Sequence, residues 1–267
     1  MKYSSTELLD FPELPEGTDL RDERILLHCC CAPCSSAILE WMVGKGLRPG
    51  IFFSNSNIVP ADEYEARREE LKRYAASLGL ETVDDEYDHA SWLEAVKGLE
   101  NEPERGSRCT ECFRYRLLRA ARYASRHGYT LLTTTLASSR WKNLAQVNAA
   151  GEWAVAMVGG PADSVGDEGS VGDGGAGSDA EAGSDAAPAA VKAGNSLRWW
   201  GRNWRKGGLQ ERRNCLIREF GMYNQNWCGC EFSRRDISTD GRCSGRQSLT
   251  TSHHSGVHSP ASGSPAR

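Results

Sequence analysis

The sequence predicts an α/β fold in which a parallel β-sheet is flanked by helices. Short apolar or β-branched segments occur at residues 24–28, 49–55 and 130–136. Segments with helical periodicity separate them, and the clearest of these is 62–78. Because strands that alternate with helices are joined by crossover connections, we expect neighbouring strands to be parallel and the crossovers to be right-handed.

Each predicted element has its own local signal. The segment 24–28 (RILLH) is a short apolar run that leads into cysteines, as in a strand that ends in a loop. In 62–78 the apolar residues recur at helical spacing, and Gly79 is a typical helix C-terminal residue. The run 130–136 (TLLTTTL) is β-branched and indicates a buried strand. The other predicted elements are a strand at 81–83 and helices at 36–44, 89–99 and 111–127.

The α/β domain is predicted to span 24–158, and the composition changes outside it. Residues 1–23 are polar and contain prolines, which predicts a loose leader. Residues 159–195 are mainly Gly, Ala, Ser and Asp, and we expect a disordered acidic insertion because they offer little apolar surface to bury. Residues 196–233 are predicted to complete the domain as a basic helical segment with a Cys-Gly-Cys motif, and 234–267 to form a disordered tail.

The bulk composition argues against several classes of protein. With a net charge of −4 over 267 residues, the chain is not a globally basic nucleic-acid binder. The first residues lack the cationic start and apolar core of a signal peptide, and no stretch approaches the roughly 18–20 apolar residues that span a bilayer. We therefore expect a cytoplasmic protein with no membrane partner, whose ten cysteines are metal ligands or redox thiols rather than structural disulfides.

Eight of the ten cysteines lie in three groups. The first cysteine group, 29–34 (CCCAPC), follows the first predicted strand, and the second, Cys109 and Cys112, lies at the start of a predicted helix. The third cysteine group, 228–230, is Cys-Gly-Cys. Ligands of doubly wound α/β folds bind beyond the carboxyl ends of the strands, so we expect the groups to converge there. A helix N-terminus lowers the pKa of a thiol, which predicts thiolates in the second group.

The cysteine pattern leaves more than one chemistry open. Four thiolates suit either a structural zinc ion or an iron–sulfur cluster. The adjacent cysteines of the first group are unusual for zinc modules, and the chain has more cysteines than one tetrahedral zinc uses. Both observations favour an iron–sulfur cluster over zinc or over metal-free thiol chemistry. The third group is either a labile catalytic dithiol or two further metal ligands.

At these motifs the chain resembles the cobalamin-independent epoxyqueuosine reductase family (QueH type). The resemblance covers about 24–158 and 197–233, with the motifs in the same order. It is carried by HCCCAPC (28–34), FFSNSNI (52–58), YD (87–88), GSRC (106–109), TTTL (133–136), and YNQ (223–225) followed by CGC (228–230). Cys29 stands where the family usually has an apolar residue, so we do not expect it to be a ligand.

The resemblance implies a fold similar to the adenine-nucleotide α-hydrolase-like (HUP) type. The implied activity is removal of the epoxide oxygen from epoxyqueuosine at the wobble position of tRNA, which gives queuosine. A [4Fe–4S] cluster is implied as the cofactor, with no cobalamin. The positions that match its ligands are Cys30, Cys31, Cys109 and Cys112.

The resemblance also implies further site residues. Cys228 and Cys230 match a redox-active pair, and Cys34 and Asp88 match positions that would serve a second metal site such as an adjacent iron ion. Because tRNA is a polyanion, we expect basic residues near the site. The predicted RNA contacts are Arg108, Arg114, Arg116, Arg202, Arg205 and Lys206. The chemistry also implies an external electron donor.

Two other functions fit parts of the pattern. A tRNA sulfur-transferase of the nucleotide-hydrolase-like class would carry a glycine-rich phosphate loop after the first strand, where this chain has Cys-Cys-Ala-Pro-Cys. A zinc-stabilised RNA-binding module would contain zinc without iron or sulfide.

Overall fold

The computed structural model describes residues 20, 22–159 and 197–233. Within them, five parallel strands form one sheet in the order β3-β2-β1-β4-β5. The strands are β1 (Ile25–Cys29), β2 (Gly50–Phe53), β3 (Thr82–Asp84), β4 (Leu131–Thr134) and β5 (Arg198–Trp199). The predicted α/β fold with a parallel sheet is therefore confirmed. The order runs outward from β1 in both directions, which is the pattern of a doubly wound sheet.

Two groups of helices cover the sheet. The helices are α1 (Ala32–Gly44), α2 (Ala61–Ser77), α3 (His89–Ala95), α4 (Ser107–Arg126), α5 (Leu144–Gly159) and α6 (Leu209–Glu219). Helix α1 packs against α2 and α6, whereas α4 packs against α3 and α5. Both α1 and α4 also contact β1, so the central strand lies between the two groups. All five residues of β1 are buried in consequence.

The cysteine-bearing helices begin earlier than the sequence pattern predicts. Helix α1 starts at Ala32 rather than at residue 36, since Pro33 occupies its first turn, where a backbone N–H is not needed. Cys34 is therefore helical rather than part of a loop. Helix α4 starts at Ser107 rather than at residue 111, so Cys109 and Cys112 both lie on its first two turns.

Helix α5 was not expected from the sequence, because its buried residues are small. They are Val147, Ala150, Gly151 and Ala154. Glycine is required at position 151, because a Cβ atom there would lie 2.3 Å from the indole ring of Trp199 on β5. This close approach lets the short edge strand pair with β4.

The tryptophans of the basic segment contribute mainly to the core. Trp204 is 1% exposed, and its ring centroid lies 5.8 Å from that of Trp41 and 5.2 Å from that of Trp200. Burial of three large aromatic rings joins α1 to the segment before α6. Trp204 is thus unavailable for stacking on a nucleobase.

Several sequence-based expectations concern residues outside the described part of the chain. These are the leader (1–23, of which only Leu20, Asp22 and Glu23 are described), the acidic insertion (159–195, apart from Gly159) and the tail (234–267). Among the helices in the described ranges, none combines the length and apolar character needed to cross a bilayer.

Candidate metal and redox centre

One cavity of about 790 Å³ receives all three cysteine groups. It is lined by Cys30, Cys31, Cys34, Cys109, Cys112, Cys228 and Cys230. Cys30 and Cys31 directly follow β1, and Ser138 to Lys142, which follow β4, form another part of the lining. The cavity therefore lies beyond the carboxyl ends of β1 and β4, where the strand order reverses and where α/β folds bind ligands.

The first cysteine group is held firmly by the neighbouring strand ends. The Cys30 N–H donates to Thr135 Oγ1 over 3.1 Å, and Asn55 Nδ2 donates to the Cys29 carbonyl over 3.0 Å. The Sγ atoms of Cys30 and Cys31 lie 3.8 Å apart, and those of Cys30, Cys31 and Cys34 are all within 4.8 Å of one another. This compact set of sulfurs could hold a metal ion.

His28 fixes the ends of three strands beneath the cysteines. Its Nε2 lies 3.0 Å from the Ser54 carbonyl oxygen, and its Nδ1 lies 2.7 Å from Thr134 Oγ1. Because a carbonyl only accepts, Nε2 carries the ring proton and Nδ1 accepts from the hydroxyl. Burial, reinforced by the charge of Arg116, lowers the pKa of His28 to about 3. His28 is thus neutral. It does not line the cavity, and its contacts with Ser54 and Thr134 orient the segments that follow the strands.

The second cysteine group differs from its predicted ionisation. Burial, together with the nearby charge of Cys228, raises the pKa of Cys109 to about 11, and burial also raises the pKa of Cys112. The prediction that the helix N-terminus would lower these pKa values is wrong, and loss of hydration on burial is the largest cause of the rise. The backbone N–H of Arg105 donates to Cys109 Sγ over 3.3 Å.

The third cysteine group lies on an irregular loop. Arg67 Nη1 donates to the Cys228 carbonyl over 3.0 Å, and the Val59 N–H donates to the Gly229 carbonyl over 3.0 Å. Gly229 has φ 108°, a conformation that favours glycine. A Cβ atom there would also lie 2.9 Å from Ile58 Cγ1, so glycine is required at this position.

Two thiolates share the same pair of cations. Hydrogen bonds from Cys31 and Cys34 lower the pKa of Cys30 well below its ordinary value. A hydrogen bond from Cys230 does the same for Cys228. The charges of Lys142 and Arg116 lower both pKa values further. The first and third groups therefore meet within one electrostatic environment.

Lys142 is the cation that links these groups. Although its burial by itself lowers its pKa, the nearby sulfurs of Cys228, Cys30 and Cys34 together raise that pKa above the ordinary value. Lys142 follows β4 and the 3-10 helix Thr135–Ser138, at the same edge of the sheet as the cysteines. Lys142 therefore lines the cavity in its protonated, positively charged form.

The donor set suits a thiolate-bound metal centre. Cysteine sulfurs are soft ligands that select zinc or iron–sulfur clusters. Arg108 lines the cavity, and its Nη2 is buried without a hydrogen-bond partner among the described residues, which leaves two N–H groups available to an acceptor there. The predicted ligands Cys30, Cys31, Cys109 and Cys112 share the cavity, and their assignment to one cluster stays a prediction.

Asp88 does not line this cavity. Its carboxylate caps α3, where Oδ1 accepts from the Ser91 N–H over 2.9 Å and Oδ2 accepts from the Ser91 hydroxyl over 2.5 Å. These hydrogen bonds lower the pKa of Asp88. Its predicted service to a second metal stays a prediction.

The predicted RNA contacts fall into two sets. Arg108 and Arg116 line the cavity, but each is only 2% exposed. Arg108 donates to the Glu100 carbonyl over 2.9 Å, and Arg116 donates to the Ser54 carbonyl over 3.1 Å. The others do not line the cavity: Arg114, which pairs with Glu111 over 2.9 Å, and Arg202, Arg205 and Lys206. Their contact with RNA stays a prediction.

Sequence reasoning missed two of the cavity residues. Arg140 and Trp141 line the cavity, together with Arg105 and Arg213. Arg140 and Trp141 follow the end of β4 by a few residues, at the edge of the sheet where ligands bind. Their position after a predicted strand was the signal that would have identified them.

Comparison with known proteins assigns the chain to a family. The family model described as epoxyqueuosine reductase QueH matches residues 25–159 and 180–236, so residues 160–179 stay unmatched. The epoxyqueuosine reductase QueH of Histophilus somni is 35% identical over 237 residues, covering 89% of this chain and 81% of the relative. The protein of the same name from Acinetobacter baylyi is 34% identical, with 85% of each chain covered. The chain belongs to the epoxyqueuosine reductase QueH family.

Proposed function

We propose that this protein reduces epoxyqueuosine to queuosine at the wobble position of tRNA, the last step of tRNA queuosine synthesis. Membership of the family supports this activity. The observation that carries it is the cavity in which the Cys228 and Cys230 pair meets the first cysteine group. A dithiol is the only protein side-chain arrangement that readily gives up two electrons.

The overall reaction balances with this pair as reductant. The Cys228 thiolate and the Cys230 thiol become a disulfide, which releases two electrons and one proton. With one further proton from solvent, these convert the epoxide to an alkene and water. An external electron donor then supplies two electrons and one proton to restore the thiolate and the thiol.

Cys30, Cys31, Cys109 and Cys112 would hold a [4Fe–4S] cluster in this cavity. When bound, the cluster supplies single electrons, and an adjacent iron ion supplies Lewis acidity toward an oxygen. Cys34 lies within 4.8 Å of the Cys30 and Cys31 sulfurs, so it is available to that ion. Asp88 could join it only by releasing its contacts with Ser91.

The chain's own residues prepare the site for this chemistry. Hydrogen bonds from neighbouring thiols, reinforced by the charges of Lys142 and Arg116, hold the pKa values of Cys30 and Cys228 well below the ordinary value and favour their thiolate forms. Cys230 holds its proton on Sγ, since its hydrogen bond to Cys228 and its burial raise its pKa far above the ordinary value. The pair thus has the asymmetry of one nucleophilic and one proton-bearing sulfur.

The substrate and partners follow from this proposal. The substrate is tRNA that carries epoxyqueuosine, and the place of action is the cytoplasm. The cationic residues of the cavity suit an anionic RNA. Reduction needs a donor protein or small molecule that reaches the third cysteine group.

The rival functions make different demands on the site. A nucleotide-dependent sulfur-transferase needs backbone amides that approach phosphate, but helix α1 begins with Cys31 as N-cap, followed by Ala32 and Pro33. Proline removes one of the N–H groups that would bind the phosphate. A zinc-stabilised module uses cysteines as structural ligands only, so the Cys228 thiolate would have no redox role.

Two measurements test the proposal. Quantification of iron, sulfide and zinc on oxygen-free protein should give iron and sulfide, whereas zinc alone would favour the structural module. Nucleoside analysis of tRNA from a deletion strain should show epoxyqueuosine in place of queuosine, and the cloned gene should restore queuosine. Undiminished queuosine in a strain without any other epoxyqueuosine reductase would contradict the proposed activity.

A further inference from the structure

An exposed tryptophan stands at the opening of the cavity. Trp141 is 54% exposed and lines the cavity that receives the cysteines. The other large hydrophobic residues that are exposed in the described ranges, Leu93, Met157, Phe220 and Tyr223, do not line it. An indole ring of this exposure leaves a large apolar surface in water, directly beside the entrance to the reactive groups.

Positively charged side chains line the same cavity as this ring. The guanidinium carbon of Arg140 lies 4.6 Å from the Trp141 ring centroid. Arg105 and Arg213 also line the cavity, and Arg213 Nη2 donates to Asn224 Oδ1 over 3.0 Å. None of the three arginines forms an ion pair with a carboxylate among the described residues, so their charge is available to an anion.

The loop that carries Trp141 is held in place by one unusual residue. Arg105 has φ 68°, a left-handed conformation that is uncommon for a residue with a side chain. Its Nε donates to the Trp141 carbonyl over 2.8 Å and its Nη2 to the Arg140 carbonyl over 3.3 Å. Because the Arg105 N–H also donates to Cys109 Sγ, one residue connects the opening to the second cysteine group.

We propose that Trp141 is a stacking platform for an unpaired nucleobase of the tRNA anticodon loop, with Arg140 and Arg213 on the adjacent phosphates. This inference rests on the proposed function and names the residues that position the RNA at the site. A flat aromatic face flanked by free cations is the combination that binds single-stranded nucleic acid. Gln225, whose Nε2 has no hydrogen-bond partner within the described chain, adds a donor on the same cavity for a base edge.

The platform differs from the RNA contacts predicted from the sequence. Those residues either lie beneath the surface, as Arg108 and Arg116 do, or lie away from the cavity. The cavity instead combines the exposed Trp141 ring with the cationic side chains of Arg140 and Arg213. RNA positioning is therefore assigned to the loop after β4 together with Arg213 of α6, rather than to Arg202, Arg205 and Lys206.

Binding of an anticodon stem–loop that lacks the epoxide tests this assignment without turnover. The full-length protein and its Trp141→Ala and Trp141→Phe variants are titrated at several salt concentrations. Trp141→Ala should weaken binding about 10-fold to 100-fold, because stacking on an aromatic side chain is lost. Trp141→Phe should stay within about threefold of the wild type, since a smaller ring still stacks. Phe220→Ala, an exposed aromatic outside the cavity, is the matched control and should leave binding unchanged.

The salt dependence separates stacking from charge. Trp141→Ala should leave the slope of log affinity against log salt unchanged, whereas Arg140→Gln should reduce it by about 0.7. Wild-type affinity in a Trp141→Ala protein that melts at the wild-type temperature would overturn the inference, as would an effect confined to reduction by a donor protein. If the wild-type protein itself binds no anticodon stem–loop, both the Trp141 platform and the proposed function on tRNA are contradicted. If only the Trp141→Ala variant is unaffected, the platform alone is contradicted.

Discussion

The first and third cysteine groups have similar electrostatics but very different backbones. Each contains one thiolate stabilised by a neighbouring thiol, and both thiolates are stabilised by Lys142 and Arg116. The first group joins a central strand to a helix and is tied to neighbouring strand ends. The third lies on a loop that depends on the left-handed backbone of Gly229.

The difference in backbone indicates that the two cysteine groups have different roles. Sulfurs at the end of a buried strand keep a constant spacing, which is what a metal centre needs. Sulfurs on an irregular loop can change their separation, as formation and reduction of a disulfide require. The comparison predicts that the first group determines metal content and the third determines turnover.

The largest effect is expected for Cys30→Ser. Removal of this thiolate should abolish iron binding and reduce turnover at least about 100-fold, since loss of a direct ligand exceeds the effect of losing a supporting residue. Iron and sulfide per chain, together with visible absorbance, measure the outcome. Cys215→Ser is the control, because Cys215 does not line the cavity. A Cys30→Ser protein with full iron content would contradict the role of the first group.

Cys228→Ser should separate the two groups. Turnover should fall to background because the dithiol is gone, whereas iron and sulfide content should stay at the wild-type level. Metal analysis and single-turnover reduction of tRNA on the same preparation provide the measurements. Loss of iron in this variant would instead identify Cys228 as a metal ligand, the alternative that the cysteine pattern leaves open.

Gly229→Ala tests the backbone of the third group alone. The methyl group would meet Ile58 Cγ1 at 2.9 Å in a left-handed conformation, so we expect a loss of about 1–3 kcal/mol in the free energy of unfolding. Gly44→Ala is the matched control, because a Cβ atom there has no neighbour within 4 Å among the described residues. Equal denaturation midpoints for both variants would show that the loop is not constrained.

The smallest effect concerns Glu70, which anchors the segment leading to the third group. Glu70 Oε1 accepts from the Tyr223 N–H over 2.6 Å, and burial raises the pKa of this carboxyl above its ordinary value of 4.5. A raised pKa means that the folded state holds the proton more tightly, so stability is lost as pH rises through that pKa.

Glu70→Gln should therefore be more stable than the wild type at pH 8 and gain nothing at pH 4. Glutamine keeps an oxygen for the Tyr223 N–H and removes the buried charge. Denaturant midpoints at the two pH values measure the difference. Glu69→Gln, at an exposed site on the same helix, should show no such pH dependence, and the same gain at both pH values in Glu70→Gln would argue against the raised pKa.

The sheet and the meeting of the cysteines were predictable because each depends on simple rules. The run at β1 is apolar at almost every position, and sequences beyond the carboxyl ends of parallel strands share one edge. Helix α5 was not predictable, because its buried residues Ala150, Gly151 and Ala154 are small and give no strong hydrophobic periodicity.

The fine structure of the site depends on tertiary contacts that no local pattern shows. Burial of Cys109 reverses the effect expected from its helix position. The backbone at Trp141 is held by the Arg105 side chain, which comes from a different part of the chain. Asp88 was predicted from the sequence as a metal ligand, but its carboxylate accepts a hydrogen bond from the Ser91 N–H and caps α3.

The order of the elements along the chain affects how the reactive centre arises during synthesis. Cys30 emerges from the ribosome on the order of 10–40 s before Cys228, at elongation rates of about 5–20 residues per second. Until then, α1 lacks the partner that α6 provides, and β4 lacks β5 at its outer edge. A nascent chain can thus present the sulfurs of the first group while having no dithiol to react with them.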